Sequence, residues 1–512
     1  MMNARVFLFS VFLLVPTVSS AERSALWGSS GERWTPSSRL PDFSNAGYRS
    51  GQQAIPHWPV KGNVKDFGAV GDGTTDDTQA FLQAIRETND GVLLIPQGHY
   101  RISQVLRIKK SHFVIRGAGS DRTVLFFPQS LKEIAKHDDK LQPPAGSWSW
   151  SGGFLSFEGD NDDTMLGRVT APAKRGENRL TVSSLGQRRA GDRIRLWQFD
   201  KDGSLGQYLY AGQSISPREF AGKKVVDFSA RIQFVKGHTI VLERPLRVDV
   251  RLEWAPAVYA DEPEVEDVGV EELTIEFPVV AYAGHHEEPG YNAIDFSSIC
   301  NGWVQNVVIH NADSGIFLRE GTKFCTIKGV RLTEDPGRFR LGYGSDPGEP
   351  QMVKVAGHHG ILITGLSQDN LVTDFQIEAR MIHELGVENA AAGNVFCAGR
   401  GVDLALDHHR RAPYENLFTN IDAGEGTHLW ENGGDQEDGL PAGMYETFWN
   451  IRTRQPQTLP PWAILINTIG ISTQLPGQLS PEGNWLEPIL PDQLQPANLY
   501  LAQRAVRQGE RR

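Results

Sequence analysis

The stretch VKDFGAVGDGTTDDTQAFLQAIRETNDGVLLIPQGHYRI, residues 64–102, decides the fold. Gly68, Gly71 and Gly73 make a turn-rich entry. Thr75 or Asp76 can then cap a helix whose apolar face carries Ala80, Phe81, Ala84 and Ile85. GVLLIPQGHY follows as a buried strand that ends in a turn. A glycine-rich loop before a helix can cradle a phosphate, but this spacing is neither a P-loop nor a dinucleotide fingerprint.

The segment closely resembles the opening of the pectate-lyase-like superfamily, which includes rhamnogalacturonases and epimerase-like proteins. The resemblance implies a helix capping the first coil of a right-handed parallel β-helix. It covers about forty residues. Repeats must carry the rest, and from residue 265 onward they do. SGIFLRE (314–320), HGILITG (359–365), RGVDLAL (400–406) and GTHLWEN (426–432) read as opening strands of successive coils. KFCTIKGVRL (323–332), DNLVTDFQI (369–377), ENLFTNIDA (415–423) and YETFWNIRT (445–453) read as second strands, with GWVQNVVIH (302–310) belonging to an earlier coil. Val307 and Val330 lie one coil apart, which is solenoid periodicity. Asn370, Asn394 and Asn416 each precede an apolar pair, and stacked they would form a side-chain ladder.

The expected fold class is therefore all-β: a right-handed parallel β-helix with an N-terminal capping helix. Its expected division is a signal peptide at 1–21, a polar leader at 22–60 and the cap with the first coils at 61–164. A small inserted antiparallel β subdomain is expected at 165–252, read from turns at RGEN, AGD and KGH. The main helix is expected at 253–490 and a frayed basic tail at 491–512. Trp148 and Trp150 in SWSWSGGF read as an exposed loop, as sugar platforms or as core.

The chain has 512 residues and a net charge of −11, so no broad basic surface points to nucleic acid. Arg5 followed by the apolar run Val6–Val18 and small residues to Ala21 reads as a cleaved secretory signal, too short for a membrane anchor. The expectation is a secreted or periplasmic, soluble, monomeric protein. Cys300, Cys325 and Cys397 allow at most one disulfide and read as core residues.

Alternate residues of a β-helix strand face out. Taking Val307, Val330, Phe375 and Ile421 as inward puts Val308, Arg331, Gln376 and Asp422 in one outward row, with His310, Thr333, Glu378 and Gly424 two residues on. A denser group lies in the late coils: His358 and His359; His383, Glu384 and Glu388; Asp407, His408, His409, Arg410, Arg411 and Tyr414; and Asp422, Glu425 and His428. Six of the 14 histidines fall in this stretch. Stacking brings matching places to ~4.8 Å per coil.

Two chemistries fit. β-Elimination beside a uronic acid needs a cation on the carboxylate, supplied by Arg410 or Arg411. It also needs a base, His408 or His409, and an acid, Tyr414 or a second histidine such as His359 or His383. Asp407 would orient a histidine, while Arg331, Glu378, Asp422, Glu425 and Arg411 would bind substrate. Hydrolysis instead needs two carboxyl groups across the bond, drawn from Asp403, Asp407, Asp422, Glu425 and Glu378. NADSG (311–315) and GHHG (357–360) echo the hydrolase signature of the rhamnogalacturonase branch only loosely, because no adjacent DD lies between them. The sequence thus points to a polysaccharide-cleaving enzyme, lyase ahead of hydrolase, with an epimerase and a non-catalytic carbohydrate binder as the other readings. No cofactor is required by either chemistry, although acidic outward rows suit Ca2+. A zinc site is weaker, because HELGVE lacks the second histidine of HExxH.

Overall fold

The computed structural model describes residues 21–137, 147–213, 220, 222–343 and 352–509. The expected signal peptide, 1–21, lies outside the described residues except for Ala21. No described helix is long and apolar enough to cross a membrane.

The opening segment forms the first coil and its cap. Asp77 accepts from the N–H groups of Val70 and Gly71 at 2.5 and 3.0 Å, which clamps the glycine-rich turn. The helix spans Thr78–Glu87. Neither predicted residue is the N-cap, which is Asp77 with no capping side-chain bond; Asp76, one residue earlier, accepts from the Thr78 N–H at 3.0 Å. Thr75 instead bonds Asp72. Phe81, Ala84 and Ile85 are buried in the main core with Leu93, Ile95 and Tyr100.

Seven parallel strands form one face of the solenoid, termed sheet one: Leu106–Ile108, Leu155–Glu158, Asn292–Ser297, Ser314–Arg319, Gly357–Ile363, Met381–Val387 and Leu406–His408. The second strands of each coil make the other two faces. Trp303–His310 pairs with Val268–Glu276 on one side, and with Thr326–Lys328 and Arg331–Thr333 on the other. The ladder continues through Leu417–Asp422, Thr447–Arg452 and Asn467–Ile471. Where each second strand bends from one face to the next, one residue takes positive φ: Glu272, Asn306, Gly329, Asp374, Ala398, Asn420 and Asn450. Asn, Asp and Gly recur there because they tolerate left-handed backbone best.

The outward row has the predicted register, Val308 opposite Arg331 and Arg331 opposite Gln376, and Arg400 stands between Gln376 and Asp422. The asparagine ladder is present. Asn370 Nδ2 donates to Asn394 Oδ1 and Asn394 Nδ2 to Asn416 Oδ1, each at 3.0 Å, and Asn416 Nδ2 ends the run on Glu446 at 2.8 Å. All three asparagines are fully buried.

The structure departs from the sequence expectation at several elements. RGVDLAL is not an opening strand: Arg400–Gly401 closes the preceding second strand, and the sheet-one strand begins at Leu406. Alternation misled because Leu404 is buried at the corner between them. The sheet-one strand before Leu406–His408 is MIHELGV (381–387). GTHLWEN forms turns, with Leu429 and Trp430 buried in the core without strand pairing. The leader packs on the solenoid through Trp27, Leu40 and Phe43, and the tail is the helix Leu499–Arg507, which covers the same cluster with Leu499 and Tyr500. Trp148 and Trp150 are only partly exposed. The three cysteines are buried and unpaired.

The inserted unit is an antiparallel six-stranded sheet that also takes in Ala257–Ala260, beyond the expected boundary. Its core is separate from the main one and takes in Ala390, Ala392, Ala412, Tyr414 and Met444 of the solenoid. It docks through buried ion pairs: Arg244 and Arg247 on Asp369 at 2.7 and 2.5 Å, and Arg175 and Arg247 on Glu415 at 2.6 and 3.2 Å. Asp369 and Glu415 directly precede ladder residues Asn370 and Asn416.

Candidate active site

Sheet one carries the titratable cluster on its outer side. In its last strand Leu406 faces the core, so the neighbours alternate: Asp407 points out and His408 points in. Asp407 stands opposite Gly386, where a side chain would run into Leu362. On the two preceding strands His359 and His383 are register partners of each other, three residues before the Leu362 and Gly386 positions that line up with Asp407. His358 precedes His359, and His409 follows the last strand. The loop from residue 277 to 291 adds His285 and His286, and the segment before Leu155 adds Trp150.

The rings form one continuous group. Centroid separations are 4.1 Å for His358–His359, 5.2 Å for His359–His383, 4.6 Å for His285–His358 and 4.9 Å for His383–His409. Trp150 covers the group, 5.2 Å from both His286 and His358. His358, His359 and His383 are buried, while the partly exposed His285, Trp150 and His409 and the exposed His286 form the entrance.

Asp407 organises one side. Its Oδ2 accepts from His409 Nδ1 at 3.0 Å, its Oδ1 accepts from the Gly433 N–H at 3.0 Å, and His383 Nδ1 lies 3.5 Å away. Burial alone would raise its pKa, but the imidazoles of His383 and His409 outweigh burial and hold the carboxyl below the usual range. Burial lowers the His409 pKa, yet Asp407 and then Glu388 reverse this and raise it overall. Burial raises the Glu388 carboxyl, only partly countered by His409 and Arg411. His358 and His359 are held well below the ordinary imidazole range by burial and by neighbouring rings, and His285 falls to about 2 for the same reasons. The cluster therefore combines an ionised carboxylate, an imidazole oriented by it and several rings kept neutral.

The predicted residues divide accordingly. His359, His383, Asp407 and His409 come together. His408 does not: it is buried between Phe418, Phe448 and Trp462, with Nε2 3.1 Å from Glu446 and Nδ1 on the Leu406 carbonyl. Tyr414 is buried in the core of the inserted unit. Arg410 adjoins the site but donates to the carbonyls of Gly434 and Gly439 at 2.9 and 2.6 Å. Arg411 pairs with Asp438 at 2.8 Å. Arg331 and Glu378 form a bidentate pair at 3.0 and 2.7 Å on another face of the solenoid. On that side Asp422 accepts from the Gly424 N–H, and Glu425 pairs with Arg454. These last four lie apart from the cluster. His428 sits between Glu384 and Asp403, at 3.3 and 3.5 Å.

His285, His286 and Glu288 were not anticipated, because their loop has no strand periodicity. A signal was nevertheless present: AGHH occurs twice, at 283–286 and 356–359.

Residues 62–158 match the family model described as rhamnogalacturonase A/epimerase, pectate lyase-like. The match and the parallel β-helix support the pectate-lyase-like superfamily. The chain is 44% identical over 88 residues to alginate lyase 7 of Azotobacter vinelandii, covering 15% of this chain and 10% of that protein. It is 32% identical over 108 residues to a probable polygalacturonase of Arabidopsis thaliana, covering 20% of this chain and 18% of that one. Among solved structures it aligns with the tailspike protein gp49 of Pseudomonas phage LKA1 at TM-score 0.44 and 13% identity, over 76% of this chain and 64% of that chain. The relatives named as an alginate lyase, mannuronan C5-epimerases and a probable polygalacturonase support a polysaccharide-acting enzyme family. The family match stops well before His285.

Proposed function

We propose that this protein is an exported enzyme that cleaves an acidic polysaccharide by β-elimination at a uronic acid residue. The observation that carries the reading is the Asp407–His409 hydrogen bond at the mouth of a buried imidazole cluster on the outer side of sheet one. A carboxylate that fixes one ring nitrogen leaves the other directed for proton transfer. In this reading His409 Nε2 takes the proton next to the sugar carboxylate, Asp407 stabilises the imidazolium that forms, and Trp150 offers its face to a sugar ring. The glycosidic oxygen leaves with a proton from Glu388 or water. The names of the matched relatives, an alginate lyase and a polygalacturonase, favour an acidic polymer as substrate.

Hydrolysis is the second reading, favoured by one observation. Asp407 is held ionised while Glu388 is pushed up, and both act on His409. Two carboxyls with opposite shifts are the hydrolase pattern. A panel of acidic polysaccharides incubated with the protein separates the two. Elimination yields a new reducing end together with an unsaturated uronate, seen by ultraviolet absorbance and proton NMR. Reducing ends without the unsaturated sugar would replace elimination by hydrolysis. Absence of any product would leave a carbohydrate-binding role.

A further inference from the structure

Both ring nitrogens of His358, His359 and His383, together with Nε2 of His285, are buried without a hydrogen-bond partner. Each such atom costs about 1–3 kcal/mol. Packing alone does not account for them, because an apolar side chain would fill the same space without that cost. Buried polar groups in this state point to an ion or water that completes them.

The arrangement is specific. His285, His358 and His383 each offer one ring nitrogen, all within 4.8 Å of one another. Two of the three have a carboxylate behind them. Glu288 Oε1 lies 2.9 Å from His358 Nδ1, and Asp407 Oδ2 lies 3.5 Å from His383 Nδ1, in each case without hydrogen-bond alignment. A carboxylate on the far nitrogen is the usual partner of a metal-ligating histidine, because it fixes the tautomer and raises the ligand's basicity.

We propose that His285, His358 and His383 bind a divalent transition-metal ion of the zinc type. Three neutral imidazoles with a position left open form the donor set of a catalytic zinc site. Ca2+ fits poorly here, since it takes about six to eight oxygen ligands. Ligand bonds of ~2.0–2.1 Å would bring the nitrogens to roughly 3.4 Å from one another. His285, partly exposed in the 277–291 loop, supplies the movement by turning inward. The ion would also meet a chemical need. Elimination requires a positive charge on the uronate carboxylate, and Arg410 and Arg411 are already engaged. That catalytic role rests on the elimination reading, whereas occupancy of the site does not.

The test uses the untagged full chain, stripped with chelator, desalted and titrated with Co2+ and then Zn2+. The expected result is a visible cobalt absorption that saturates at about one ion per chain and is displaced by zinc. His285→Gln and His383→Gln should each weaken binding by at least ~100-fold. Asp407→Asn should weaken it by ~10–100-fold through its ligand, and His238→Gln should change nothing. No saturable binding, or binding indifferent to His285→Gln and His383→Gln, overturns the proposal. If His383→Gln does not fold, His285→Gln on its partly exposed loop decides alone. Tight binding by a protein that makes no unsaturated product would retain the site and remove the elimination reading. Unsaturated product from a protein that binds no ion would do the reverse.

Discussion

Replacing Asp407 by Asn isolates the group on which the site depends. The substitution keeps the size of a fully buried side chain. Its carbonyl oxygen can still accept from the Gly433 N–H. What disappears is the negative charge facing His409 at 3.0 Å and His383 at 3.5 Å. A hydrogen bond to a charged group contributes about 1.5–3 kcal/mol. The Asn amide offers its other end to the same ring, so the net stability loss should lie at or below about 3 kcal/mol. Activity should fall much further, because His409 loses both its fixed orientation and the charge that stabilises its protonated form. Losing a positioned base of this kind costs about 10²–10⁴ in kcat. The assay is initial rate against substrate concentration, with chemical denaturation run beside it. A variant that keeps half of wild-type kcat would refute the reasoning. So would a rate that falls only in step with the folded fraction.

Three further predictions concern architecture. Asn394→Leu removes the middle of the ladder and strands buried groups on Asn370 and Asn416; urea unfolding should show a loss of about 2–4 kcal/mol with kcat unchanged in the folded protein. His408→Phe leaves Glu446 without its imidazole in the core; a loss of roughly 3–5 kcal/mol is expected, and activity per folded molecule should persist. For His428, burial lowers the pKa but Glu384 and Asp403 raise it to about 10. A raised pKa adds stability that is full below the unfolded value of about 6.5 and is lost as pH climbs through the folded value. Wild-type stability should therefore decline between pH ~7 and ~10 more steeply than that of His428→Gln, read by urea midpoints across pH.

The parts legible in the sequence are those governed by local rules. The 64–102 segment carries its turn, helix face and strand within one window. The second strands announce themselves through alternation and through the Asn, Asp and Gly of the bends. Sheet-one strands are harder, since corners such as Leu404 and loops such as Leu429–Trp430 also bury apolar residues. The terminal helix reads as a frayed tail because its buried residues, Leu499, Tyr500 and Gln503, sit in a polar, arginine-bearing sequence. The site was half legible. Successive coils align His359 with His383 and bring Asp407 close by, but a doublet such as His408–His409 does not say which ring faces in. Strand parity resolves it: Leu406 is core, so His408 is core, and His409 belongs with Asp407. His285 comes from a loop, and only the fold brings it to His358 and His383.

The central claim is that His409, held by Asp407, moves the proton in an elimination reaction. The most direct measurement is the initial rate of unsaturated-uronate formation by wild type and His409→Gln on the acidic polysaccharide turned over fastest. The account predicts ultraviolet-absorbing product from the wild type and a rate about 10²–10⁴-fold lower from a variant that unfolds at nearly the same urea concentration. A His409→Gln rate within a fewfold of wild type, or turnover without unsaturated product, would contradict it.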